Sequence, residues 1–177
     1  MPSVRTPLVA VALRGDIYVV PANGSAPRRL TRYGYNSAPL LSPDGSHVAY
    51  LSASPRSTDR FGRPTTHGVW VVPVTGRPDG SSAYKLTVTN PRVDRGGLSW
   101  SPDSQRLAYS ESGDAGSNGR DNDVVVANVN DSSRVTMLRL GPSYKDAAPS
   151  AISSPIAWSP DGGYIAVMAP DMSPTAS

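Results

Sequence analysis

Short runs in which apolar residues alternate with small or polar ones recur along this chain, each beside a turn carrying Pro and Asp. Val48-Ala49-Tyr50, Leu107-Ala108-Tyr109 and Ile165-Ala166-Val167 follow three such turns, and an apolar pair precedes each: Leu40-Leu41, Leu98 with Trp100, Ile156 with Trp158. A period of two over runs this short predicts β-strands. Each turn with its flanking runs therefore predicts a β-hairpin.

The turns are copies of one another. "LSPDGSHVAY" (41–50) returns as "WSPDSQRLAY" (100–109) and as "WSPDGGYIAV" (158–167), with 59 positions from Pro43 to Pro102 and 58 from Pro102 to Pro160. In Ser42-Pro43-Asp44-Gly45, Pro presets φ for a type I turn, Asp suits the next position, and Gly tolerates the left-handed residue that follows. Ser101, Pro102 and Asp103 repeat the turn, as do Ser159, Pro160, Asp161 and Gly162. The middle copy has Ser104 for glycine, a cost of up to roughly 1 kcal/mol if that residue is left-handed.

A second hairpin alternates with the first. "GDIYVVPANGSAPRRLT" (15–31), "GVWVVPVTGRPDGSSAYKLT" (68–87) and "DVVVANVNDSSRVTMLRL" (123–140) each join a β-branched run to a basic or apolar return strand. Together the hairpins predict twelve strands, or three four-stranded sheets' worth. Apolar residues on both faces of the strands suit sheets covered on each side. Self-similarity at this period signals an array of supersecondary units. Composition agrees: 18 Pro and 16 Gly in 177 residues leave little room for long helices, and 38% hydrophobic residues mark a globular chain.

The repeated "SPDGSHVAY … GVWVVPVTG … YKLT" resembles the repeat of TolB-like β-propellers, a WD-like family whose blades read approximately W-S-P-D-G-x-x-I-A-F, then D-I-Y-V, then L-T. The likeness runs over most of residues 8–169. It implies an all-β chain of four-stranded antiparallel blades, here about three blades' worth. The expected divisions are a half blade at 8–32, blades at 36–89 and 95–140, a half blade at 153–169 and a tail at 170–177. Propellers usually have four to eight blades. The chain is therefore expected to be a partial propeller, half of a six-bladed ring made by two copies, or an open or three-bladed arc. Half blades leave strand edges unpaired, which makes a homodimer through those edges one expected assembly.

Candidate chemistry is sparse. The longest interruptions, 52–68 and 110–122, suit a binding face or plain solvated loops, and Arg56, Arg60, Phe61 and Arg63 are the candidate partner-binding residues. There is no cysteine, so thiolate catalysis and disulfides are excluded, and His47 and His67 have no neighbour at metal-ligand spacing. "GLSWS" (97–101) lacks the last glycine of a nucleophile elbow, and Ser99 is expected on a strand. Asp114, Asn118, Asp121 and Asp123 offer oxygens but not the acidic ladder of a calcium loop. Arg14-Gly15-Asp16 is the start of a repeated strand, with Asp16 matching Asp123. The sequons at 23–25 and 130–132 fall on hairpin tips, where turn chemistry accounts for them.

A formal charge of +3, with Arg28, Arg29 and Arg32 clustered but no interleaved aromatic platform, does not fit nucleic-acid binding. No apolar run approaches a membrane span, and "PLVAVAL" (7–13) reads as a strand, not as a signal peptide. The expectation is a non-enzymatic scaffold for a protein or peptide, without cofactor or metal; the resemblance implies a bacterial envelope or periplasmic setting. The alternative is the substrate-gating propeller of a prolyl-oligopeptidase-like serine peptidase whose catalytic domain lies outside the chain. Trp100 and Trp158 are expected to be buried between sheets.

Overall fold

The computed structural model describes residues 6–32, 34–53, 67–87, 92–112, 121–142 and 156–167. Among the described residues there is no helix, and thirteen strands form four antiparallel sheets. Sheet 1 holds β1 (Leu8–Leu13), β2 (Asp16–Pro21) and β3 (Arg28–Arg29). Sheet 2 runs in simple order through β4 (Asn36–Leu41), β5 (His47–Ala53), β6 (His67–Pro73) and β7 (Tyr84–Lys85). Sheet 3 repeats that order with β8 (Arg92–Trp100), β9 (Arg106–Ser112), β10 (Asp121–Asn128) and β11 (Arg134–Pro142). Sheet 4 is the hairpin β12 (Ala157–Trp158) and β13 (Ile165–Ala166).

The architecture is all-β and is a partial propeller: successive four-stranded antiparallel units packed face to face. Ile17, Val19 and Leu30 of sheet 1 bury against Val48, Tyr50 and Val72 of sheet 2. The opposite face of sheet 2, with Ala49, Leu51, Val69, Val71 and Leu86, closes on Trp100, Leu107, Tyr109, Val125 and Ala127 of sheet 3. Ala108, Val124 and Val126 then meet Ile156 of sheet 4. Both faces of the middle sheets are covered, which is why their strands are apolar at consecutive positions. Burying a Val or Leu side chain contributes about 1.5–3 kcal/mol, so the three layers between sheets hold the array together.

Two details differ from expectation. Residues 8–32 supply three strands where two were expected, because Leu8–Leu13 pairs along its whole length with Asp16–Pro21 through a two-residue turn. Arg14 (φ 52°) and Gly15 (φ 77°) are both left-handed there, the geometry whose twist matches a hairpin. A Cβ on Gly15 would lie 2.0 Å from the carbonyl oxygen of Gly34, so backbone occupies the space a side chain would need. Second, Trp100 is buried as expected, but Trp158 is only half-buried, with the Arg106 guanidinium 4.8 Å from its ring centre.

Candidate functional site

The repeated turns use their polar groups on themselves. Ser42 Oγ donates to Asp44 Oδ1 at 2.6 Å and accepts the His47 N–H at 3.0 Å, while Asp44 Oδ1 accepts the Ser46 N–H at 3.0 Å. The same three bonds recur at Ser101, Asp103, Arg106 and Gln105, and at Ser159, Asp161, Tyr164 and Gly163. Burial works against ionisation of Asp44, but hydrogen bonds from Ser42, Ser46 and Ser104 outweigh it and hold the carboxyl down at about 2. The Ser101 hydroxyl and the Gln105 N–H lower Asp103 in the same way. These groups shape the turns.

Adjacent turns are also tied to one another. Ser104 is left-handed (φ 61°), as the glycines at the matching positions are (Gly45, φ 71°; Gly162, φ 72°). Its buried hydroxyl accepts the N–H of Asp44 at 3.1 Å. The departure from glycine thus carries an inter-sheet bond, which the sequence alone did not reveal.

A second polar network lies at the start of β2 in sheet 1. Asp16, nearly buried, takes a hydrogen bond from Arg29 Nη2 at 2.5 Å, from Thr31 Oγ1 at 3.3 Å and from the Gly34 N–H at 3.2 Å. Thr31 Oγ1 accepts the N–H of Ile17 and the Asn36 amide, both at 2.9 Å. Asp16 of the Arg-Gly-Asp stretch therefore points into the protein. Sheet 3 has a half-buried ion pair in its outer half, Arg134 Nη2 with Glu111 Oε2; burial pushes the Glu111 carboxyl up against the opposing pull of Arg134.

Of the candidate residues, the turn serines, prolines and aspartates sit where the repeat predicts, at three equivalent hairpins. Arg56, Arg60, Phe61 and Arg63 lie outside the described residues, as do Asp114 and Asn118. Ser99 is paired with Ala108 in the β8–β9 ladder, and His47 Nδ1 is 2.7 Å from Ser46 Oγ. Among the described residues no three His, Asp or Glu side chains gather as a metal site, and no helix is long and apolar enough to cross a membrane. The sequence reading passed over Thr31 and Thr87; the Leu-Thr pair that closes each of the first two return strands (30–31, 86–87) was the available signal. It also passed over the outer edge of sheet 3, where Val135 is 61% and Met137 59% exposed.

Repeated sheets, stacked turns and inter-sheet indole bonds define a β-propeller fold, present in part. Solved structures share this fold. A putative TolB from Agrobacterium tumefaciens is 22% identical, with a TM-score of 0.56 over 92% of this chain and 54% of its own. An oligogalacturonate lyase in complex with manganese is 15% identical (TM-score 0.59, 88% of this chain and 36% of its own). A puromycin hydrolase variant is 18% identical (TM-score 0.54, 89% and 26%). This chain thus spans about half the length of the first and less of the others. No protein-family model matches the sequence, and no curated protein is significantly similar to it.

Proposed function

We propose that this chain is a non-catalytic propeller scaffold that binds a protein or peptide segment in extended conformation, laid as an added strand beside β11. The observation that carries this reading is the edge itself. Among the described residues, β11 is nine residues long and hydrogen-bonded on one side only, to β10, whereas the outer strands β3 and β7 have two residues each. A free edge offers ladder donors and acceptors, and apolar side chains at alternate positions supply selectivity. Val135 and Met137 stand two residues apart and largely exposed, as such a reader requires. Arg56, Arg60, Phe61 and Arg63 are proposed as further contacts, and the likeness to a TolB supports an extracytoplasmic setting.

Panning a displayed library of random linear peptides against the purified chain tests this. Enriched peptides should alternate apolar residues, bind without being cleaved, and protect the β11 amides from hydrogen exchange. Thr136→Pro, which removes a backbone donor from the edge strand, should weaken their binding at least tenfold. Enriched peptides that protect other strands, or that are hydrolysed by the chain, would overturn it. The likeness to a puromycin hydrolase favours one second reading, a propeller that screens substrate for a peptidase domain elsewhere in the protein. A G-x-S-x-G domain downstream of Ser177 in the full reading frame would favour that reading.

A further inference from the structure

The edge strand β11 holds one residue more than its partner requires. Thr136 pairs with Val125 and Leu138 with Val124, so Met137 stands between two rungs of the ladder with no residue of β10 opposite it. That is a β-bulge, an insertion that bends its strand and re-aims a side chain. Val135 pairs with Val126, and both Val124 and Val126 belong to the apolar face that meets Ile156 of sheet 4. Cross-strand partners share a face, so Val135 and Leu138 continue that layer beyond the part that sheet 4 covers. Val135, Met137 and Leu138 are 61%, 59% and 41% exposed.

Sulfur sets Met137 apart from its two neighbours. The chain has no cysteine and four methionines; Met1, Met168 and Met172 lie outside the described residues. A thioether is a two-electron nucleophile that peroxides oxidise, and exposure is what lets the peroxide reach it. The sulfur lone pair attacks one peroxide oxygen, the O–O bond breaks and an S–O bond forms. Sulfur is oxidised by two electrons and hydrogen peroxide is reduced to water, the proton of the transferred oxygen passing to the departing one. A reductase dithiol reverses the change: it becomes a disulfide, and the sulfoxide oxygen leaves as water.

The setting of Met137 fixes what a sulfoxide does there. In a packed core the change from apolar to polar disrupts the fold. At the bulge no ladder partner on β10 is lost, and an exposed S–O group is hydrated. We propose that Met137 is a reversible oxidation site, at which a peroxide makes the β11 patch polar and weakens its hold on an extended peptide without unfolding the sheet. An apolar peptide side chain seated on the sulfoxide would strip water from its oxygen, and an unpaired polar group is costly to bury. The effect on peptide rests on the reading of β11 as a binding edge; the oxidation and the change of surface do not.

Dilute hydrogen peroxide applied to the folded chain, followed by mass mapping of each methionine, reads the chemistry. Met137 should gain one oxygen about as fast as a blocked methionine amide in the same solution, and methionine sulfoxide reductase with dithiothreitol should remove it. Melting temperature should move by no more than about 2 °C. Retention on a hydrophobic-interaction column should fall further in the parent than in Met137→Leu, where only the other methionines can react. Affinity for a peptide selected at β11 should drop roughly tenfold when the parent is oxidised and hold its value when Met137→Leu is treated in the same way. A Met137 that peroxide spares while the amide reacts, or a chain that unfolds as Met137 reacts, would refute the oxidation site. Unchanged affinity of the oxidised parent for a peptide that protects the β11 amides would refute the switch. If no peptide protects those amides, the binding-edge reading fails and the switch with it, while mass and retention still decide whether β11 carries the oxidation site.

Discussion

The indole Nε1–H of Trp100 donates to the carbonyl of Leu40 at 3.0 Å, across the boundary between sheets 2 and 3. Trp158 repeats the bond to Ser99 at 3.1 Å, one sheet further along. The aromatic residue that opens each W-S-P-D turn is thus a clasp between neighbouring inner strands. The first copy has Leu41 there, which packs against the sheet 1 side without a donor to give.

Replacing Trp100 by Phe keeps most of the buried ring and strands the Leu40 carbonyl. The expected loss is about 1–2 kcal/mol, the usual cost of an orphaned buried acceptor. Trp100→Ala should lose about 3–5 kcal/mol by opening a cavity. Urea unfolding of the two variants beside the parent measures both, and a Phe variant as stable as the parent would show the bond to be idle.

Ser104 sets two effects of similar size against each other. Glycine there relieves a left-handed β-carbon, worth about 1 kcal/mol, but removes the hydroxyl that accepts the Asp44 N–H, also worth about 1 kcal/mol. Ser104→Gly should therefore be close to neutral, and Ser104→Ala, which keeps the strain and loses the bond, should be destabilised by about 1 kcal/mol. Thermal denaturation of the pair decides it: equal melting points for the Gly and Ala variants would refute the balance.

Gly15 admits no side chain. A Cβ meeting backbone at 2.0 Å with φ at 77° cannot be relieved by rotating a neighbour. Gly15→Ala should cost about 2–4 kcal/mol and loosen the β1–β2 hairpin. Hydrogen exchange should then speed up at Leu8–Leu13 before other strands; uniform exchange across the chain would contradict the local cause.

Acid should weaken the turns. The folded carboxyls of Asp44 and Asp103 titrate below their ordinary value of 3.8, Asp44 at about 2. Their contribution is complete above the unfolded value and is lost as pH falls from about 4 towards 2. Melting temperature measured across that window should drop, and the drop should be smaller in Asp103→Asn. An identical acid profile in that variant would assign the loss to other groups.

Much of the fold was legible because a turn is a local object. Ser-Pro-Asp followed by a left-handed residue specifies its own dihedrals and its own hydrogen bonds within six residues, so three copies at a near-constant interval announced three equivalent hairpins. Alternation placed the strands around them. The β1 strand was harder to separate from its partner, because Arg14-Gly15 is a two-residue turn with no proline to announce it. The extent of Trp158 burial depends on what covers it, and no local pattern encodes a neighbour.

The sequence by itself determined the repeat, the strand type and the all-β class, since each follows from interactions between residues a few positions apart. Only the tertiary structure decided which polar groups are spent and which are left over. Thr31 and Thr87 follow the same leucine in the same kind of strand, yet one is saturated and the other bare. The difference is made by Asp16 and Gly68, each brought opposite its threonine by strand pairing across more than a dozen residues. Hydrogen-bond satisfaction depends on distance in space, and pairing register sets that distance.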